Sequence, residues 1–187
     1  MMAMTDARIT AEDYFDAVAG VREPTQLIDG VIVVNQPRYR HQRAVGLVYA
    51  RLLTWTASPG GRGVVTLPLD VVVDAHNVYA PDVLWVADRD RLDPDAPFDG
   101  VPDVAVEVRS PSTWHYDIGV KKRRYEQHGL PELWLVDTAA AAVMAFRRSS
   151  PASPEFDVEV ELALDATLTS PQLPGFALPL AAIFAED

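Results

Sequence analysis

Glu107 stands in the run VPDVAVEVRS, and one turn later the chain carries its only two lysines, Lys121 and Lys122, in VKKRRYEQHG; every other cationic position is arginine. Strand alternation places Asp103, Ala105, Glu107 and Arg109 on one face and Val104, Val106 and Val108 on the other. A carboxylate among valines is expensive unless it has a partner. The simplest partner is an arginine on a half-exposed face. The other is a metal ion shared with a second carboxylate, and three Pro-Asp pairs offer one. Pro94-Asp95 sits in a polar loop and reads as a turn. Asp103 lies on the same strand as Glu107, about 13 Å away at the usual rise per residue. Asp82 opens the apolar stretch DVLWV and would meet Glu107 if the two strands pair. Oxygen ligands without Cys or His suit Mg²⁺ or Mn²⁺ better than zinc.

Lys121 would sit on a helix with Asp117 and Tyr125 at i−4 and i+4. Arginine could serve for surface charge, as it does elsewhere in the chain. A lysine is compact and loses its proton more readily when buried. Asp82, Glu107 and Lys121 at one sheet end make a set for metal-assisted phosphodiester hydrolysis. The carboxylates hold the ion, and the lysine orients water and offsets developing charge. The plainer alternative is an ion-pair network joining Glu107 to Arg109 or Lys121.

The elements that must position these groups are readable in outline. Thr10 followed by Glu12 and Asp13 caps a short helix running to Ala19. TQLIDGVIVVNQ folds as a hairpin at Asp29-Gly30. Apolar residues recur at helical spacing from Arg40 to Thr56, and SPGGRG ends that helix. VVTLPLDVVV and VYAPDVLWVA read as strands, and DRDRLDPDAPFDG as a charged surface loop. VPDVAVEVRS, the helix Tyr116 to His128 and PELWLVD form a βαβ unit. AAVMAFRR and FDVEVELAL continue as strands, and LPLAAIFAE is a final docking turn. The expected fold is α/β, a mixed β-sheet flanked by helices, in a single domain over residues 1–187.

Composition sets the outer limits. Of 187 residues, 49% are hydrophobic, so a real core can form, and cysteine is absent, which removes thiolate chemistry. No leader or membrane span is apparent in the sequence, so a cytoplasmic protein with no membrane partner is expected. A formal charge of −11 argues against a protein that coats DNA. It leaves room for a local basic path, and RYRHQR (Arg38, Arg40, Arg43) and KKRRY (Lys121, Lys122, Arg123, Arg124) hold seven of the sixteen Lys and Arg. Each cluster alone is as well explained by a solvated helix face.

APDVLWV, together with VPDVAVEVRSPSTWHYDIGVKKRRYEQHGLPELWLVD, resembles the signature of the Uma-two-like putative restriction endonucleases, within the PD-(D/E)XK nuclease superfamily. The likeness extends to QLIDGVIVV, to His41 heading the second helix, and to LPGFALPL. It implies a restriction-endonuclease-like core, an endonuclease acting on DNA, and a Mg²⁺- or Mn²⁺-dependent site at Asp82, Glu107 and Lys121. Arg38, Arg40, Arg43, Lys122 and Arg123 would then contact nucleic acid. Two departures stand out. The superfamily's usual lysine position, two residues after the glutamate, holds Arg109, and the helix-borne Lys121 takes its place. The family's usual glutamate before LIDG is Gln26, which keeps an oxygen ligand and loses a charge. His41 could touch phosphate or metal, or serve as a structural hydrogen-bonder. The alternative of a different class is a catalytically silent relative that binds DNA or protein. Double-strand cutting by a one-site fold calls for two chains, so a homodimer fits the active reading.

Overall fold

The computed structural model describes residues 8–185. Helix α1 (Ala11–Val18) starts at a capping box in which Thr10 and Asp13 satisfy each other's backbone N–H groups. Strands β1 (Thr25–Ile28) and β2 (Val31–Val34) form the expected hairpin. Asp29 and Gly30 both take positive φ, 48° and 78°. That is the demand of the tight turn whose twist matches the strands, and Asp and Gly meet it at low cost. Helix α2 (Tyr39–Thr56) follows, and buries Ala44, Val48, Leu52 and Trp55 along one stripe.

The next stretches depart from expectation. VVTLPLDVVV is two strands, β3 (Val64–Thr66) and β4 (Val71–Asp74), which belong to different sheets. VYAPDVLWVA likewise divides into β5 (Asn77–Tyr79) and β6 (Val83–Val86). Proline supplies no ladder donor and disfavours a continuous strand, and Pro68 and Pro81 stand at the two crossings. The charged loop is more ordered than its composition suggests. It holds a 3₁₀ turn at Arg89–Arg91 and a short strand β7 (Phe98–Asp99) that buries Phe98.

Strand β8 (Val104–Val108) leads to a helical rod made of α3 (Trp114–Tyr116), a π turn (Asp117–Lys121) and α4 (Lys122–Gln127). Strands β9 (Glu132–Asp137), β10 (Ala142–Arg147) and β11 (Val158–Leu162) complete a six-stranded sheet of order β11-β10-β9-β8-β6-β3. Among the described residues its only parallel pair is β8 with β9, the two strands that the helical rod connects. A five-stranded sheet of order β2-β1-β5-β4-β7 lies apart from it in hydrogen bonding. The hairpin β12 (Thr167–Ser170) with β13 (Leu173–Pro179), and helix α5 (Ala181–Phe184), close the chain.

Both faces of β8 are covered, which is why it reads as nearly continuous apolar sequence. Val104, Val106 and Val108 pack with α2 residues and with Leu168, Leu178 and Ile183 of the tail. Ala105 faces the other way, toward Tyr79, Tyr125 and Leu135. The tail thus shares the core of the central sheet. No helix among the described residues is long and apolar enough to cross a membrane.

Glu132 ties that tail down. Its carboxylate is fully buried and accepts from Trp134 Nε1 (2.7 Å), Arg147 Nε (2.8 Å) and Ser170 Oγ (2.5 Å). Replacing Glu132 with alanine leaves three donors unsatisfied, so a loss of about 3–5 kcal/mol is expected, the scale for breaking a buried charged pair. Urea unfolding of the variant measures this. A change below about 1 kcal/mol would show that the network relaxes without cost.

Candidate functional site

The register of the antiparallel pair β6–β8 sets Val83 opposite Val106 and Leu84 opposite Ala105. Continued by one residue, it sets Asp82 opposite Glu107. Alternation puts both on the face of Leu84 and Ala105, the face covered by Tyr79, Tyr125 and the helical rod. Directly opposed residues on one face of such a pair have Cβ atoms about 5 Å apart. Asp82 is 7% exposed and Glu107 3%. The reading of Glu107 as a half-exposed partner of an arginine therefore fails. Arg109 instead forms a two-pronged pair with Asp137, its Nη1 2.8 and 2.9 Å from the two carboxylate oxygens.

The partner Glu107 does have is Lys121. Lys121 is 1% exposed, with Nζ 2.6 Å from Glu107 Oε1 and 3.0 Å from Asp117 Oδ1. The Tyr125 hydroxyl donates to the same Glu107 oxygen at 3.0 Å. Two side chains from one rod meet one carboxylate while Asp117 of the same rod meets the Lys121 ammonium, and the π turn explains how. An α-helix rotates about 100° per residue, so Asp117 and Tyr125, eight apart, would drift about 80° around the axis. One wider i→i+5 turn rotates less per residue and takes part of that drift back. Such turns recur at functional sites.

Asp117 is itself buried, at 3% exposure. Sequence reading placed it as a neighbour of Lys121 and missed it as a third carboxylate of the cluster. Its i−4 spacing to a lysine was the available signal. One ammonium thus faces two carboxylates, Glu107 and Asp117, and Asp82 acts on both of these. Burial is the main force raising the Glu107 carboxyl, with Asp117 and Asp82 adding to it and Lys121 opposing; the result is about 8. Burial also raises Asp117. Lys121 is held charged, because Asp117 and Glu107 together outweigh the cost of its burial.

Asp82 is fixed through one oxygen. Its Oδ2 accepts the backbone N–H of Val108 at 2.8 Å and lies 3.2 Å from His41 Nε2. His41, in the first turn of α2, is buried, and its Nδ1 is enclosed without a hydrogen-bond partner among the described residues. Gln26 is buried in β1, where its Oε1 accepts the N–H of Ala80, two residues before Asp82.

The basic residues divide by environment. Arg38 and Arg40 are exposed at the start of α2, and Arg43 donates to the carbonyl of Ile183 at 3.0 Å. Lys122 lies 4.2 Å over the Phe146 ring, and Arg123 is exposed.

Mg²⁺ is usually held by one or two carboxylates, with waters and substrate phosphate filling the remaining positions, rather than by a full protein cage. Asp82 and Glu107 fit that pattern, since Asp82 Oδ1 and Glu107 Oε2 accept no hydrogen bond from the described residues. Among the described residues no group of three or more His, Asp or Glu side chains is placed to hold a metal ion.

The fold has a solved counterpart. A crystal structure of a putative nuclease belonging to DUF820 from Anabaena variabilis ATCC 29413 superposes with a TM-score of 0.71 at 16% identity, covering 91% of this chain and 97% of that one. At that identity the likeness speaks for the fold. No curated protein matches the chain. The family model of Uma2, described as putative restriction endonuclease, matches residues 11–181. A match of that length, over the sheet, the helical rod and the tail hairpin alike, makes this chain a member of the Uma2 family.

Proposed function

We propose that the protein is a divalent-metal-dependent endonuclease that hydrolyses phosphodiester bonds in DNA. The observation that carries this reading is Lys121, enclosed between Glu107 and Asp117 on the face where Asp82 stands opposite Glu107. Asp82 and Glu107 would hold Mg²⁺ or Mn²⁺. When bound, the ion supplies Lewis acidity toward phosphate and a more acidic water. The chain's own groups do the rest. Val108 N–H and His41 lock the Asp82 rotamer through Oδ2, which leaves Oδ1 for a ligand. Tyr125 and Lys121 fix Glu107 through Oε1 in the same way. Lys121 brings a charged N–H into a site shielded from solvent, where it can orient an attacking water and stabilise charge that develops on the phosphate. Gln26 keeps an oxygen beside the Asp82 loop without a charge, so two carboxylates remain to hold the ion.

The test is cleavage of a supercoiled plasmid with Mg²⁺ or Mn²⁺ against chelator, with an RNA substrate alongside. No metal-dependent nicking of DNA by the folded protein would defeat the proposal. The engagement of Glu107 by Lys121 and Tyr125 favours a second reading, a silent relative that binds DNA. DNA binding without cleavage is the result it requires.

Metal affinity should depend on pH. Glu107 is protonated below about 8, so an ion must displace that proton. Apparent Mn²⁺ affinity should rise about tenfold per pH unit up to about pH 8 and level off above. Calorimetric titration between those limits reads it. A flat profile would remove Glu107 from the ligand set.

DNA should bind the face that carries the start of α2. Reversing Arg38 and Arg40 to glutamate is expected to weaken binding and flatten its salt dependence, since each phosphate contact contributes nearly one to the salt slope. Arg43 is left alone in this test because it holds the Ile183 carbonyl. Unchanged affinity at low salt would make the cluster a solvated surface.

A further inference from the structure

At the start of α2 lies a cavity of about 560 Å³ that the hydrolytic site does not use. Its walls come from three places in the chain: Tyr39 and Arg40 of the first α2 turn, Thr138 and Ala139 of the β9–β10 turn, and Ile183 and Phe184 of α5. Both polar walls connect along the chain to residues around the candidate site. Arg40 precedes His41, whose ring meets Asp82. Thr138 follows Asp137, which clamps Arg109 two residues beyond Glu107. Thr138 lies two residues beyond Val136, the register partner of Val108, so this wall of the cavity stands at the sheet end that carries Asp82 and Glu107.

The lining has two characters. Ala139, Ile183 and Phe184 offer an apolar floor, while Arg40 offers charge and Thr138 a hydroxyl. Tyr39 stands at the lip with 76% of its surface exposed, an unusual place for a large aromatic in a chain that buries most of them. An apolar slot of this size, an aromatic plate and a cation together match a nucleobase with its phosphate. Bases stack on aromatic side chains whatever their sequence, and charge tracks the backbone. A base inside a paired duplex cannot reach such a slot. It must be unpaired, or turned out of the stack at a cost of a few kcal/mol that is least where pairing is already broken.

We propose that this cavity is a nucleotide subsite that takes one unpaired or extruded base of the strand to be cut, and so directs the enzyme to DNA with a single-stranded or mispaired nucleotide. This rests on the nuclease reading for its purpose, but the binding can be measured without catalysis.

The experiment uses the full chain in chelator, where nothing is cut. Fluorescence anisotropy compares two labelled duplexes of one sequence, fully paired or with a single unpaired central nucleotide. The unpaired one should bind roughly five- to hundredfold more tightly, the range one stacked base contributes. Tyr39→Ala removes the plate, and Ala139→Trp fills the slot from an exposed turn position. Each should bring the two affinities close to parity. Equal binding of both duplexes by the unaltered protein overturns the proposal. So does a preference that survives both substitutions, and so does failure to bind either duplex. A preference in chelator with no cleavage in Mn²⁺ would leave the subsite standing and remove the nuclease reading. Metal-dependent cleavage with no preference would do the reverse.

Discussion

Glu107→Gln should lower metal-dependent cleavage by about a hundredfold or more, the scale for losing a positioned charge-stabilising group, while making the folded protein more stable. The two effects have one cause. Glu107 is enclosed with Asp117 and Asp82 nearby, and its carboxyl is pushed up to about 8 from an ordinary 4.5. Glutamine is nearly isosteric, keeps an Oε1 acceptor for the Tyr125 hydroxyl, and removes the cost of taking up a proton on folding. It also removes a ligand the ion needs. The sign of the pH effect follows from which state holds the proton. The folded protein binds it up to about 8 and the unfolded chain releases it near 4.5, so the folded state carries the extra proton between those limits. The contribution of Glu107 to stability is therefore full below about pH 4.5 and is lost as pH rises through about 8. Thermal unfolding from pH 5 to pH 8 should fall more steeply for the unaltered protein than for Glu107→Gln. Cleavage at the original rate by the variant would mean that Glu107 does not hold the ion.

Local signals carried the sequence reading furthest. The Thr10–Asp13 cap, the Asp29-Gly30 turn and the alternation through Val104, Val106 and Val108 each depend on a few adjacent residues, and each element forms where those residues stand. The α/β class follows from the βαβ unit, whose two strands form the parallel pair of the six-stranded sheet. Sheet membership was not legible. Pro68 and Pro81 mark breaks, but nothing local says that β3 and β4 go to separate sheets, because each strand's ladder partner lies elsewhere in the chain.

The candidate site divides in the same way. Asp82 and Glu107 could be matched because pairing of two recognised strands suffices to oppose them. His41 was visible only as a histidine at a helix start, since its partner Asp82 is 41 residues away. Arg109 shares the alternation face of Glu107, yet Asp137 claims it from the neighbouring parallel strand. Asp117 is harder to read as part of the cluster, because α-helical spacing alone carries it around the rod relative to Tyr125. The π turn that corrects this has no residue pattern of its own.

Lys121→Arg should abolish cleavage, whereas Lys122→Arg leaves it nearly unchanged, although both keep the charge. Lys122 is half-buried with its ammonium over the Phe146 ring, a position arginine fills equally well. Lys121 is enclosed, with Nζ between Glu107 Oε1 at 2.6 Å, Asp117 Oδ1 at 3.0 Å and the Tyr79 ring at 5.4 Å. Its compact ammonium fits between those groups. A planar guanidinium is larger and forces the carboxylates apart in a core packed without spare volume. The rate loss is expected to be about a hundredfold or more. Misfolding could imitate that result, so Lys121→Met serves as the control. Methionine fits the space, removes the charge and leaves Glu107 and Asp117 free to take up protons, so it should fold. It should also fail to cut, since nothing then orients water or offsets charge on the phosphate. The measurement is single-turnover cleavage of one plasmid in Mn²⁺ by the three variants, with thermal unfolding of each. If folded Lys121→Arg or folded Lys121→Met cuts as fast as Lys122→Arg, then Lys121 is an ion-pair partner that shapes the site and has no part in the reaction.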